Sequence, residues 1–371
     1  MAEIGIGIVG TGFMARVHAL GMSLADSMFD LPIRPRLVAY CGRETTAPSA
    51  LPRWPEFLDA QPVQGLEGLL SVKNIDLYVI CTPNAAHSAA ALAALDAGGN
   101  VLCEKPLASR IQDSLTLVRR AEATSTTAGV SFNYRRVPAV ELTRAMIRAG
   151  DIGTPSHFAG AYLQDWGHNS EAQLTWRHDP VEAGPGVITD TGCHIIDLAQ
   201  HLTDSHVTAV AAIAPTSGSD STKAAGGPDA ASLMMRLASG ASACFDLSRV
   251  AAGHRNGLAF EIRGSEGSIR FSLERMNELE VSGFTGSGET WRRLYVTERS
   301  HPWLASRWPP GHPLSWEHTF AHQAADLLSA IATGRAFSPN FPEAHAIDVI
   351  CATAAAGMMA GSWRSVDTAA P

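Results

Sequence analysis

A chain of 371 residues, 46% hydrophobic and 17% charged, has the composition of a globular protein large enough for two cores, which excludes a disordered or fibrous one. Its net charge of −8, with Lys and Arg dispersed, offers no basic stripe along a nucleic-acid backbone, so no nucleic-acid partner is expected. No apolar run reaches the roughly 20 residues of a membrane helix, and MAEIGIGIVG lacks a basic stretch before its apolar run; the expectation is a cytoplasmic protein without a membrane partner.

In chain order, Ile4 to Val9 alternates small and branched residues and runs into glycines, as a buried parallel strand does before a tight turn. A helix is expected over 14–24, then apolar strands at Leu37 to Cys41, Leu77 to Cys81 and Val101 to Cys103. Ala86 to Ala97 reads as an Ala-rich helix ended by Gly98-Gly99, and Ser109 is expected to cap a helix reaching Ser125. This alternation predicts an α/β, doubly wound parallel sheet of the Rossmann type over 1–130. Pro48, Pro52 and Pro55 interrupt the helix that would follow its second strand.

Past Val130 the pattern changes to that of an α+β domain, 131–371. A helix over 139–149 precedes strands at His157 to Leu163, Val207 to Ile213, Leu233 to Leu237, Ala243 to Leu247, Leu258 to Arg263, Ser268 to Ser272, Leu279 to Val281 and Leu294 to Val296. They suit one large, mainly antiparallel open sheet. Ser217 to Pro228 reads as a flexible loop, Ser300 to Pro313 as a loop dense in Trp, His and Pro, and helices at Trp316 to Thr333 and Glu343 to Ala360 close the chain. Cys41, Cys81, Cys103, Cys193, Cys244 and Cys351 lie far apart without CxxC spacing and are expected as buried thiols. His318 and His322 have (i, i+4) spacing but no third ligand; they read as a solvated helix face, and no metal is expected.

Gly10-Thr11-Gly12-Phe13-Met14-Ala15 is GxGxxA, directly after a strand and opening a helix, the context a dinucleotide-binding fingerprint requires. Gly10 permits the tight turn, Gly12 lets the amides of the helix start approach a pyrophosphate, and Ala15 allows close helix packing. The second strand should end in an acid that holds the ribose 2′-hydroxyl, yet it runs Tyr40-Cys41-Gly42-Arg43-Glu44. Arg43 either contacts a 2′-phosphate, which favours NADP, or stacks over adenine, which is neutral between NAD and NADP.

Two segments end strands at the carboxyl edge of the sheet, where ligands of such folds bind: Thr82-Pro83-Asn84 with His87, and Glu104-Lys105-Pro106. A lysine beside an oxidised nicotinamide has a cationic neighbour that favours its neutral form, so Lys105 suits proton relay or alkoxide stabilisation. In Gly184-Pro185-Gly186-Val187-Ile188-Thr189-Asp190-Thr191-Gly192-Cys193-His194, Asp190 and His194 lie four residues apart at a helix start and are expected on one face, the acid orienting a histidine that acts as general base. His201, two turns on, is read as structural.

Together these marks, with Asn133-Tyr134-Arg135, resemble the glucose-fructose oxidoreductase and inositol dehydrogenase family, Gfo/Idh/MocA, over nearly the whole chain. Within it, Phe132 to Val140, Tyr162-Leu163-Gln164-Asp165-Trp166 and Trp176-Arg177 look most like the levoglucosan dehydrogenase subgroup. The resemblance implies Lys105, Asp190 and His194 as the catalytic set, Asn133 and Arg177 as further cofactor contacts, and Tyr134, Gln164, Asp165, Trp166 and Trp176 as substrate contacts. It further implies oxidation of a secondary hydroxyl on a sugar, anhydrosugar or cyclitol, and a homo-dimer or homo-tetramer. The family's habit favours NAD, against the pull of Arg43. Two alternatives use the same residues or fold: a glycosidase with transient NAD redox, and a non-catalytic NAD(P)-binding sensor.

Overall fold

Short apolar strands bounded by glycine and proline form a parallel sheet from β1 (Ala2–Val9), β2 (Ile33–Cys41), β3 (Gln61–Val63), β4 (Leu77–Ile80), β5 (Asn100–Cys103) and β6 (Ala128–Val130). The order is β3-β2-β1-β4-β5-β6, every pairing parallel. The connecting helices are α1 (Phe13–Met28), α2 (Gly65–Leu70), α3 (His87–Asp96) and α4 (Ile111–Glu122). Ile6, Ile8, Leu77 and Val79 are fully buried, as strands covered on both faces must be. Strand order reverses between β1 and β4, which makes their carboxyl ends a switch point. This computed structural model describes residues 2–57, 59–168, 175–215, 227–283, 290–304, 309–358 and 361–367.

The proline-rich stretch after β2 forms two short 3-10 turns, Pro48–Ala50 and Pro55–Phe57, where a doubly wound fold would normally place a helix. One expectation fails in detail: Ser109 does not cap α4. Arg110 occupies the cap with extended backbone and no side-chain cap bond, one residue past the serine.

The chain divides into two compact units, Met1–Asn133 with Ser315–His345, and Tyr134–Leu314 with Ala346–Pro371. A division into 1–130 and 131–371 is corrected accordingly, because helix α8 (His318–Thr333) packs on α1. The contact depends on small residues. Ala15, Ala19 and Ala25 of α1 share one apolar cluster with Ala324, Ala325 and Leu328 of α8, and a Cβ at Gly21 would lie 2.8 Å from Phe320 Cβ. His322 of α8 is buried, with Phe29 edge-on at 5.8 Å, so the expected solvated face fails at His322, while His318 is partly exposed.

The second unit contains α5 (Pro138–Ala149), β7 (Pro155–Leu163), α6 (Pro180–Ala183), α7 (Cys193–Thr203), β8 (Val207–Ile213), β9 (Ala230–Leu237), β10 (Ser242–Ser248), β11 (Gly257–Gly264), β12 (Gly267–Ser272), β13 (Glu278–Gly283) and β14 (Thr290–Tyr295). α9 (Phe341–Gly357) and β15 (Arg364–Ser365) follow. Among the described residues the sheet has nine strands in the order β14-β13-β12-β11-β7-β10-β9-β8-β15. It is antiparallel except where β7 meets β10. Burial alternates along β9, with Leu233, Met235 and Leu237 inward and Ser232, Met234 and Arg236 outward. Phe158, Phe245, Phe260 and Phe271 form the aromatic centre of the inward face.

The expected loop at Ser217 to Pro228 lies outside the described residues apart from its last two, and residues 305–308 of the Trp-rich loop lie outside them too. Among the described residues no cysteine forms a disulfide; Cys81 and Cys244 are partly exposed rather than buried. No described helix is long and apolar enough to cross a membrane.

Candidate active site

The turn from β1 into α1 needs glycine at two positions for different reasons. Gly10 has φ +119°, donates its amide to the Cys41 carbonyl at 2.8 Å, and would place a Cβ 2.6 Å from the Cys81 carbonyl oxygen. Gly12 is the cap of α1, and a Cβ there would meet nothing within 4 Å. α1 begins with no side-chain cap bond and no acid in its first turn, so the amides at Phe13 and Met14 remain available to an anion in that open space. This cradle fits a dinucleotide pyrophosphate. The Phe13 ring, 65% exposed, stacks on Trp316 at 5.7 Å.

At the end of β2, Gly42 lets Leu51 approach, with Cδ2 2.6 Å from the position of a Cβ. Arg43 is exposed. Glu44, the first acid after the strand, is committed elsewhere: its carboxylate accepts the Leu66 amide at 2.7 Å, at the start of α2. The proline segment folds back toward the phosphate loop, where the Trp54 indole donates to the Thr11 carbonyl at 3.4 Å. Arg16 lies over the Trp54 ring at 4.4 Å and pairs with Glu56 at 3.0 Å.

His87 ties the ends of β4 and β5 together. It is 1% exposed, with Nδ1 2.8 Å from the Pro106 carbonyl and Nε2 3.0 Å from the Thr82 carbonyl. Burial holds its pKa below the ordinary value, against the opposing pull of these carbonyls. Glu104 accepts from His18 Nε2 at 2.7 Å and from the Lys105 amide at 3.2 Å. Burial alone would raise this carboxyl, but the His18 hydrogen bond and the nearby charges of His18, Lys105 and His87 outweigh it and leave the pKa below normal. Lys105, half-buried, thus projects from a segment locked by a buried carboxylate. Thr82 Oγ1 is buried and makes no hydrogen bond among the described residues, which suits a site completed by a ligand. Asn84 is buried, and Asn133 Nδ2 donates to Thr319 Oγ1 at 2.9 Å.

In the second unit, Asp190 sits in a π-helical turn, Ile188–Gly192, and His194 in the first turn of α7. The expected helix start is thus a π-helical turn that runs directly into α7. Gly192 brings this turn against the sheet, with Leu247 Cδ1 2.8 Å from the place of a Cβ. His194 is buried beside two phenols, its ring 4.8 Å from Tyr134 and 5.9 Å from Tyr162.

Those phenols open a continuous polar array. The Tyr134 and Tyr162 hydroxyls are 2.9 Å apart; Tyr162 donates to Asn256 Oδ1 at 2.7 Å, and Gln164 Nε2 donates to the same oxygen at 2.9 Å. The Trp166 indole donates to Gln164 Oε1 at 2.9 Å. Burial, then Tyr134 and the Asp190 charge, push the Tyr162 phenol well above its ordinary pKa, so it stays a neutral donor. Arg177 Nε lies 4.0 Å from Asp190 Oδ1, and its guanidinium covers the Trp176 ring at 4.5 Å.

Tyr134, Gln164, Trp166 and His194 are thus brought together, as are Trp176, Arg177 and Asp190. Asp165 instead faces the exposed Arg255 at 3.4 Å. Sequence reading missed Asn256, which precedes Gly257 and looks like an ordinary turn residue, and gave no site role to Tyr162, a mark of the resemblance that looks like one more inward strand position. It also missed His18, a polar residue within an apolar helix, which was the available signal.

Residues 4–132 match the oxidoreductase family model with an NAD-binding Rossmann fold, and residues 140–270 match the GFO/IDH/MocA C-terminal domain. Over 99% of both chains, the protein is 31% identical to levoglucosan dehydrogenase of Pseudarthrobacter phenanthrenivorans. The chain belongs to the Gfo/Idh/MocA oxidoreductase family. Among solved Gfo/Idh/MocA-like structures, levoglucosan dehydrogenase in complex with NADH and levoglucosan is similar at TM-score 0.91 and 30% identity, covering 99% of this chain and all of that one. An oxidoreductase domain protein from Kribbella flavida has the same TM-score and coverage at 34% identity. As a Gfo/Idh/MocA member, the protein is an oxidoreductase with an NAD-binding Rossmann domain.

Proposed function

We propose that the protein oxidises a secondary hydroxyl of a neutral sugar, anhydrosugar or cyclitol, with the hydride passing to a bound nicotinamide dinucleotide. The observation that carries this reading is the array from His194 through Tyr134, Tyr162, Asn256 and Gln164 to Trp166. A polyol presents several hydroxyls, each needing a donor and an acceptor, and apolar C–H faces that pack on aromatic rings; the array supplies both. Similarity to levoglucosan dehydrogenase supports the same substrate class.

The amides at Gly12, Phe13 and Met14 would hold the pyrophosphate, with Gly42, Arg43, Thr82, Pro83 and Asn84 lining the rest of the dinucleotide. Bound NAD supplies the hydride acceptor. NAD is the proposed cofactor; exposed Arg43 leaves the ribose end open to the 2′-phosphate of NADP. His194 takes the proton of the reacting hydroxyl, Asp190 holds the imidazole in orientation, and Lys105 stabilises the developing alkoxide. The carbinol carbon would thereby give up a hydride and its hydroxyl a proton to His194, leaving a ketone. The working assembly is proposed to be a homo-dimer or homo-tetramer.

The test is site-directed. With a polyol that is turned over, Lys105→Met and His194→Asn are expected to lower kcat by about a hundredfold or more while NADH binding, followed by fluorescence, stays near wild type. Full turnover by the Lys105 variant would remove the lysine from the mechanism.

A further inference from the structure

Arg249, the residue after β10, is 1% exposed and among the largest fully buried side chains in the protein. A buried guanidinium is costly unless its charge and donors are met. Its Nε donates to Asp229 Oδ1 at 2.5 Å, its Nη1 donates to the Arg177 carbonyl at 3.1 Å, and its Cζ lies 5.5 Å from the centre of the Trp166 ring. Nη2 is buried without a hydrogen bond among the described residues. The Arg249 backbone is also fixed, its amide donating to the Asp229 carbonyl at 2.9 Å and its carbonyl accepting the Gly167 amide at 2.8 Å.

One side chain therefore links two separate segments of the candidate site. Trp166 follows β7 and hydrogen-bonds Gln164, whereas Arg177 lies in the turn Trp176–His178 and reaches Asp190. Asp229 neutralises the cation, so the group acts by holding shape and not by presenting net charge to a ligand. We infer that Arg249 is the positioning residue that sets Trp166 and Arg177 for the polyol, and so governs its affinity. This rests on the reading of the array as the polyol site. A lysine could keep the ion pair with Asp229, but a single ammonium has no fork to reach the carbonyl and the ring as well.

The measurement is kinetics of Arg249→Lys with the polyol and with NAD, joined to hydrogen exchange. The polyol KM is expected to rise about tenfold, with kcat and the NAD KM each changed less than about threefold. Amides of residues 163–168 and 175–179 are expected to exchange about tenfold faster, with β9 and β10 unaffected. A residue needed only for stability would instead lower Tm and disturb both KM values together. Asp229→Ala, which removes the acceptor of the same guanidinium, is expected to give the same split. An unchanged polyol KM in both variants, unchanged exchange in both segments, or failure of both variants to fold would overturn the inference. If the wild type turns over no polyol, the failure belongs to the functional reading, and exchange alone still decides whether Arg249 holds the two segments.

Discussion

Gly10 and Gly12 stand two residues apart, and substitution separates their roles. A Cβ at Gly10 meets the Cys81 carbonyl on a backbone with φ +119°, so Gly10→Ala is expected to cost about 1–3 kcal/mol of stability, read as a lowered Tm. A Cβ at Gly12 points into open space, so Gly12→Ala should leave Tm near wild type and raise the KM for the dinucleotide. A Gly12 variant that binds the dinucleotide normally would contradict the cradle. pH acts on buried side chains in a fixed order. Burial holds His87, His201 and His345 below the ordinary 6.5, so the unfolded chain takes up protons that the folded one refuses, and stability falls as pH drops below that value. Glu104 and Glu141 have folded pKa values below the ordinary 4.5; their contribution is complete above 4.5 and is lost as pH falls through the lower folded values. Tm should therefore decline from about pH 6.5 and steepen below about 4.5; a flat profile between pH 7 and 5 would contradict this.

Elements were legible where periodicity was long enough to read. The strands at 230–237 and 257–264 alternate in burial along most of their length, and their centres, 233–237 and 258–263, were visible in the sequence. β3, β6 and β15 have two or three residues each, too few for any period, and went unseen. The π turn at Ile188–Gly192 has the same residue types as an α-helical start, so only the backbone distinguishes it. α8 was readable as a helix, but not its partner: the alanines that meet α1 look like ordinary core residues, and about 300 positions separate the two segments. Gly21 tests that pairing. Gly21→Val should force Phe320 aside and cost about 1–3 kcal/mol, seen as a lower Tm; an unaltered Tm would mean that the helices do not pack closely.

At the scale of the whole molecule, the dinucleotide unit is assembled from both ends of the sequence, since Ser315–His345 joins Met1–Asn133. Its site was nonetheless largely readable, because glycines at a strand-to-helix turn and charged residues after an apolar strand obey local rules. The polar array proposed to take the polyol was only half readable. Tyr162, Asn256 and Gln164 meet because β7 pairs with β11, a register that no single segment announces. Family membership supplies the oxidoreductase class, and the array supplies the reason to expect a neutral polyol. The most direct test is purified wild-type protein with a panel of 1,6-anhydrosugars, cyclitols and aldoses, each with NAD and with NADP, followed by reduced-cofactor absorbance. The account predicts net reduction of NAD by at least one member of the panel; no reduction of either cofactor by any of them would contradict it.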